Sequence, residues 1–354
     1  MTLCRLQVTD FRCLQSVAID FDPRFTLISG ANASGKTSLL EAIYVLGRGR
    51  SFRTRRLEHL IRLGRERFVV FGEVDAFERR VSLGVEGSSG GIRAKLDGDR
   101  ANSLAELAPL LPVQIIDPEI HRLIEEGPSR RRRFLDWGVF HVEPRFVDDW
   151  QRFQQALKQR NASLKSRQPK AVTSAWDGDL ARYGEALSAA RARYVESLAL
   201  AAATTARRLL GMELEIGYRQ GWARGPDLAE ALAQSWGADQ ESGATQVGPH
   251  RAELAIRLND LGVKDRISRG QQKLLAAALL MAQVKLFPQD SAVRPSLLLD
   301  DPAAELDDER LTGLIEEVSA QEVQLIVTTL HPEFSQFGTP GMQYRIEGGE
   351  VRAA

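Results

Sequence analysis

Cysteine is nearly absent from this sequence. Cys4 and Cys13 are the only two in 354 residues. That is too few for a disulfide framework or a four-ligand zinc site, and it fits the reduced thiols of a cytosolic protein. Long apolar runs are missing as well. Stretches such as Leu274 to Ala282 fall far short of the ~18–20 residues that cross a bilayer. The opening Met1-Thr2-Leu3-Cys4-Arg5-Leu6 alternates like a strand and does not read as a signal peptide. There is no excess charge: 47 Lys and Arg balance 47 Asp and Glu. This excludes a protein that coats nucleic acid by bulk charge, so any such site is a local patch. No internal repeat or low-complexity segment is visible. What is present is ordinary globular composition, 43% hydrophobic and 27% charged. The length is about twice that of a usual ~100–200-residue domain, which predicts one large domain with an insertion, or two domains.

Residues 3–28 read as short strands. Leu6, Val8 and Phe11 alternate with polar residues, and Phe25-Thr26-Leu27-Ile28 ends at Ser29-Gly30. Leu39, Leu40, Ile43 and Leu46 have helical spacing. Residues 68–97 carry β-type runs broken by glycine-rich turns at 87–91, the pattern of an antiparallel meander. Between about 130 and 212 the pattern turns helical. Trp150, Phe153, Leu157 and Leu164 form one seam, and Leu180, Tyr183, Leu187, Ala190, Tyr194 and Leu198 form another in heptad fashion. With a turn at 167–170 between them, they predict a helical hairpin, an inserted arm of about eighty residues. Two amphipathic helices packed on the main body are the alternative. From 251 the α/β pattern returns, with a helix over 271–287 and strands over 296–299 and 323–328.

The most specific motif is Gly30-Ala31-Asn32-Ala33-Ser34-Gly35-Lys36-Thr37, which fits G-x-x-x-x-G-K-[ST] between a strand and a helix. Glycines let the backbone curl so that amides point at anionic oxygens, and the helix start adds partial positive charge. In such a loop Lys36 reaches the β- and γ-phosphates and Thr37 offers its hydroxyl to Mg2+. Far downstream, Ser296-Leu297-Leu298-Leu299 is a buried strand ending in Asp300 and Asp301. Asp300 there orients a Mg2+-bound water, and Asp301 polarises the attacking water. Ser268-Arg269-Gly270-Gln271 opens the apolar helix and supplies a second anion-binding helix start. One phosphate loop needs no second such helix in its own chain, whereas two chains paired head to tail do. Ala304-Glu305-Leu306-Asp307 continues the interface loop.

These residues resemble the ABC-type ATPase heads of the structural-maintenance and Rad50 class, and within it the RecF recombination-repair family. The resemblance rests on Asp10-Phe11-Arg12, on Gly30 to Ser38 with Leu39-Leu40-Glu41-Ala42-Ile43-Tyr44, and on Gly49-Arg50-Ser51-Phe52-Arg53. It continues in Arg131-Arg132-Arg133-Phe134-Leu135-Asp136-Trp137, Gly248-Pro249-His250-Arg251, Ser268 to Gln271, and Asp300 to Asp307. It implies an α/β fold, an ABC-type head with a helical arm: residues 1–125 and 213–354 as the two parts of the head, 126–212 as the insertion. It further implies a cytoplasmic bacterial protein, with no membrane partner, that binds ATP and Mg2+ and pairs with itself in an ATP-dependent homodimer. The expected nucleotide set is Gly30 to Ser38 with Ser268, Gly270, Gln271 and Asp307. Lys36, Asp300 and Asp301 are the expected catalytic groups, and Thr37 and Asp300 the metal ligands. The family acts on single- and double-stranded DNA at gaps and junctions, with RecO and RecR, to help load RecA. Most ABC heads carry Glu at the place of Asp301. The shorter carboxylate reaches less far towards water, so slow hydrolysis is expected, and the resemblance implies a weak, DNA-stimulated ATPase. Either Thr329 or His331 takes the place of the switch histidine. Gln114 and Pro118-Glu119 are the two candidates for the Q-loop.

DNA contact is expected at Arg50, Arg53, Arg55 and Arg56, which with Arg48 fall within nine residues, and at Arg131 and Arg132. Arg53 facing the nucleotide, and Arg131 to Arg133 capping the arm, are the other readings. No base-reading motif is visible, so recognition of backbone and shape is expected. A transporter subunit would need a coupling surface for membrane partners, and the central heptad arm argues against it. A long coiled-coil protein would need hundreds of heptad residues. A nucleotide-gated scaffold with negligible turnover is the non-catalytic alternative.

Overall fold

The computed structural model describes residues 2–76, 79–259, 261–262, 267–288, 294–304, 308–334 and 336–354. The chain begins with strands β1 (Thr2–Phe11), β2 (Leu14–Asp20) and β3 (Phe25–Ser29), then helix α1 (Lys36–Arg48). Next come β4 (Arg67–Ala76), β5 (Arg79–Ser88), β6 (Gly91–Leu96), the short β7 (Asp99–Arg100) and β8 (Val113–Ile116). A helical stretch follows: α2 (Arg122–Glu125), α3 (Pro128–Val142), α4 (Phe146–Lys165), α5 (Lys170–Thr173) and α6 (Asp177–Leu210). After it run β9 (Leu214–Arg219), α7 (Leu228–Gln234), α8 (Trp236–Ser242), β10 (Glu253–Leu258), β11 (Leu261–Gly262) and α9 (Arg269–Lys285). The chain closes with β12 (Ser296–Asp300), α10 (Asp308–Ser319), β13 (Gln324–Thr329), β14 (Met342–Glu347) and β15 (Glu350–Ala353).

Residues 1–120 and 289–354 form one compact unit. Its first sheet is antiparallel with order β2-β1-β4-β5-β6-β7. Alternation builds it: Leu6 and Val8 of β1, Phe68 and Val70 of β4, and Leu83 and Val85 of β5 are all buried. The second sheet has order β15-β14-β3-β13-β12-β8, and only β15 runs antiparallel. Strands covered on both faces read as continuous apolar runs rather than alternating ones. Accordingly β3, β12 and β13 are buried at every position.

Helix α1 contacts strands of both sheets and buries every residue except Thr37 and Arg48. A fully buried Leu or Ile stabilises by about 1.5–3 kcal/mol, against under ~1 kcal/mol per residue from helix propensity. Leu39, Leu40, Ile43 and Leu46 therefore hold the helix, and with it the loop that precedes it, by packing. The loop after β3 and the carboxylates after β12 emerge at the C-terminal ends of parallel strands separated only by β13. Open α/β sheets bind ligands in crevices at such ends.

Residues 121–288 form the second unit. The helices α4 and α6 pack on each other, and α6 also lies along α3, α9 and β9. The segment expected as an arm, 126–212, thus belongs to a unit that also takes in 213–288. The first seam starts earlier than its spacing suggests. Trp150 is 40% exposed, while Phe146, Phe153, Leu157 and Leu164 are buried. Phe146 takes the inner position a turn before Trp150. Arg160 lies in that same seam with no exposure at all. Its guanidinium donates to Asp177 at 2.7 Å, to Asp239 at 2.6 Å and to Thr245 at 3.0 Å. A charge taken so far from water persists only with such partners.

Candidate functional site

The phosphate loop is shaped by backbone conformation. Gly35 sits at φ 115° and Ala33 at φ 60°, and the latter costs a residue with a Cβ roughly 1–3 kcal/mol. A Cβ on Gly30 would come within 2.4 Å of the Ile346 carbonyl and 2.8 Å of Ser34 Oγ, so only glycine fits there. The Gly30 amide donates to Thr329 O at 3.2 Å, and Gly349 donates to Ser34 O at 2.9 Å. These bonds tie the loop to β13 and to the β14–β15 turn. Ser34 Oγ is buried and makes no hydrogen bond among the described residues. Lys36 Nζ folds back on the loop, donating to Gly30 O at 2.7 Å and Ala31 O at 3.0 Å. Burial lowers the pKa of Lys36 below its ordinary value, while the charges of Asp301 and Asp300 oppose the shift.

Thr37 joins the loop to the end of β12. Its Oγ1 lies 2.8 Å from Asp300 Oδ2 and 3.1 Å from Oδ1. Thr328 on β13 donates to Asp300 Oδ1 at 2.8 Å. Between two hydroxyls, the Asp300 carboxylate is 5% exposed and fixed in orientation. Asp301 adopts φ 48°, a left-handed conformation, and its amide donates to Thr328 O at 3.1 Å. Burial raises the pKa of Asp301. Lys36 pulls it down, and Asp300 pushes it up again. His331 bears on the same carboxyl by its charge, and its amide donates to Thr329 Oγ1 at 3.1 Å. An alkoxyl beside a carboxylate is an all-oxygen donor set, suited to a hard cation that keeps further positions for phosphate and water. The lysine, the loop amides and the oxygens of Thr37 and Asp300 therefore fit a nucleotide triphosphate with Mg2+. No motif spacing points to Thr328 as the partner of Asp300, because only strand register places it there.

The arginines at 48–56 divide into anchored and open ones. Arg48 lies over the Tyr44 ring at 5.4 Å from its centroid and donates to Val113 O at 3.3 Å. Arg50 bears on the Tyr44 phenol by its charge. Burial pushes that phenol's pKa up, but the charges of Arg48 and Arg50 outweigh it and the net shift is downward. Arg53 Nη1 is 3.6 Å from Glu41 Oε2. Arg55 and Arg56 are exposed and form no ion pair among the described residues. Gln114 lies inside β8, opposite Leu297 of β12.

In the second unit, Arg131 makes a two-pronged pair with Glu253, both contacts 2.8 Å, and donates to the carbonyls of Ile124 and Glu126. Arg132 donates to Ala252 O at 2.7 Å. Burial, with Arg191 nearby, lowers its pKa. Ser268 is the N-cap of α9. Its hydroxyl accepts from the Gln271 amide at 3.3 Å, while the Gln271 side chain accepts from the Ser268 amide at 3.0 Å. Such a reciprocal cap leaves the amides of Arg269 and Gly270 at the helix start without intrahelical partners. Asp307, with Glu305 and Leu306, lies outside the described residues.

A phosphate loop before a helix held between two sheets, facing a strand-end carboxylate pair, defines an ABC-type ATPase head. Residues 2–347 match the family model described as the RecF/RecN/SMC N terminal domain. The DNA replication and repair protein RecF of Pseudomonas syringae pv. tomato is 40% identical over 359 aligned residues, covering 99% of this chain and 98% of that one. That of Yersinia pestis bv. Antiqua is 39% identical over 355, with the same coverage. The chain belongs to the RecF family of DNA replication and repair proteins. Among solved structures, the recombination mediator protein RecF with ATP, described as acting in the RecFOR pathway, superposes with a TM-score of 0.90 at 27% identity. It covers 100% of this chain and 97% of that one. An Smc head bound to the C-winged helix domain of ScpA gives a TM-score of 0.60 at 18% identity, a likeness of fold alone.

Proposed function

We propose that this protein is an ATP-switched DNA clamp of recombinational repair. It binds gapped or junction DNA in the cytoplasm and, with RecO and RecR, helps load RecA. ATP would bind at Gly30 to Ser38, with Lys36 donating to the phosphates in place of the loop carbonyls it now meets. Thr37 and Asp300 would hold Mg2+, which when bound neutralises phosphate charge. Asp301 would accept the proton of the attacking water. Its short side chain favours slow turnover, and DNA stimulation is part of the same proposal. The observation that carries the reading is the Thr37–Asp300–Thr328 triad, because it sets a buried carboxylate and a hydroxyl side by side at the mouth of the phosphate loop. The RecF structure with ATP supports the nucleotide.

Ser268, Gly270 and Gln271 would close over the nucleotide of a second copy, with Asp307 in the same interface. Two variants test this pairing. Ser268→Arg leaves the phosphate loop intact, and Lys36→Ala leaves the α9 start intact. Head-to-tail pairing predicts no ATP-driven dimer from either variant alone. Their mixture rebuilds one intact composite site, and light scattering shows partial recovery of dimer. Loss of ATP binding by monomeric Ser268→Arg would assign α9 to its own chain's nucleotide and refute the pairing.

A further inference from the structure

Glu41 is the one carboxylate on α1, it has no solvent exposure, and the nucleotide chemistry above does not use it. It gathers two hydrogen-bonding residues and one further cation. Arg12, in the β1–β2 turn at φ 54°, makes a two-pronged bond from Nε and Nη2, each 2.8 Å. The Ser51 hydroxyl donates to Oε1. Arg53 Nη1 stands 3.6 Å from Oε2, with 46% of its side chain still exposed.

These partners are unequal. Arg12 is bound in the geometry of a strong bidentate pair. Arg53 is long, half-exposed and beyond hydrogen-bond distance, so a competing phosphate removes it at little cost. Ser51 is the joint between the two. Its hydroxyl donates to Glu41 and accepts from the amides of Arg53 and Thr54, both at 2.9 Å. Thr54 Oγ1 in turn accepts from the Arg56 amide at 3.1 Å. Ser51 thus ties the amides of Arg53 and Thr54 to the Glu41 carboxylate of α1, while Phe52 between them packs edge-on against Tyr44 of the same helix, 5.3 Å between ring centroids. Four residues before Glu41 on the same rigid helix is Thr37, and five before is Lys36.

We propose that Glu41, with Ser51, is a positioning pair that couples phosphate capture by the arginine turn to the set of the nucleotide loop. This rests on the reading of Arg53, Arg55 and Arg56 as DNA contacts. When a DNA phosphate takes Arg53, the turn shifts against Ser51. Ser51 then re-sets the Glu41 carboxylate, about one helical turn from Thr37 and Lys36 on α1, while the buried leucines hold the helix itself in place. Coupling of this kind is reciprocal: nucleotide changes DNA affinity by the same factor as DNA changes nucleotide affinity.

The test measures four affinities by fluorescence anisotropy. A labelled gapped duplex is titrated with and without a non-hydrolysable ATP analogue, and the labelled analogue with and without the duplex. For Ser51→Ala, the two single-ligand affinities stay at the parent's values and the coupling factor falls to near one. Glu41→Gln, which keeps shape and removes charge, behaves the same way. If Glu41→Gln fails to fold, Ser51→Ala carries the test. A folded Ser51→Ala that keeps the parent's coupling factor overturns the proposal. So does one that binds each ligand alone more weakly while the factor stands, because that marks a structural role only. The triple variant Arg53→Ala/Arg55→Ala/Arg56→Ala separates the underlying reading. It makes the dependence of DNA affinity on salt shallower by about 0.9 for each phosphate no longer neutralised. An unchanged salt slope refutes the DNA reading itself, whatever Ser51→Ala shows.

Discussion

Thr37→Val isolates one oxygen at the centre of the site. Valine keeps the β-branched shape and nearly the same helix propensity, so α1 and its packing survive. What disappears is the hydroxyl held 2.8 Å from Asp300 Oδ2. A hydrogen bond to a charged group contributes about 1.5–3 kcal/mol. Asp300 keeps the 2.8 Å bond from Thr328, so the loss falls at the low end, about 1.5 kcal/mol. At about 2–4 °C per kcal/mol for a large domain, the ligand-free melting midpoint drops by about 3–6 °C. The metal term is separate. If Thr37 ligates Mg2+, removing it weakens the metal-bound complex by a similar 1.5–3 kcal/mol, which is about 10- to 150-fold. Titration calorimetry with ATP in EDTA and again in Mg2+ separates the two effects. Without metal, Thr37→Val binds ATP as the parent does, because Lys36 and the loop amides are untouched. With metal, the parent tightens and the variant gains about 10- to 150-fold less. An equal gain from Mg2+ in both proteins would refute the assignment of Thr37 and Asp300 as metal ligands.

Asp301→Asn should bind ATP, turn it over far more slowly and trap the dimer; hydrolysis at the parent's rate would remove Asp301 from the mechanism. Burial raises the folded pKa of Asp301, so parent turnover falls as pH drops through a value above the ordinary ~3.9 of a free aspartate. The same shift means that the ionised carboxyl costs stability above that folded pKa and ceases to cost it as pH falls to the unfolded value. Asp301→Asn should then be more stable than the parent near pH ~7, with the advantage shrinking towards pH ~4 in urea titrations. In the second unit, Asp239→Ala leaves Arg160 buried with one carboxylate fewer. Breaking a buried pair costs about 3–5 kcal/mol, and a loss under ~1 kcal/mol in urea unfolding would mean that Asp177 and Thr245 suffice.

How much of this is legible in the sequence follows from how local each signal is. The phosphate loop is contiguous and its motif is local, so Gly30 to Thr37 can be named at once, although the need for glycine at 30 comes from the Ile346 carbonyl on β14. The apolar runs of β3, β12 and β13 announce strands covered on both faces, and Asp300 and Asp301 stand at the end of one of them. What cannot be read is what partner strands contribute. Thr328 reaches Asp300 through parallel register between β12 and β13, and no spacing rule connects two residues on different strands. Glu41 looks like one more residue of an apolar helix. A carboxylate on that face is a conflict with burial, and such local conflicts mark functional or strained positions. Arg160 poses the same conflict in a seam that otherwise reads as heptads, and there the structure answers with an internal ion network alone. The arginine clusters show the converse. Arg131 and Arg132 look like a patch equal to Arg53, Arg55 and Arg56, yet their guanidiniums are engaged by Glu253, Ala252 and helix-end carbonyls. Charge density along a chain counts cations, whereas phosphate capture needs those whose donors still face water. By that criterion Arg55, Arg56 and the half-exposed Arg53 qualify for the proposed DNA contact, whereas Arg131 and Arg132 do not.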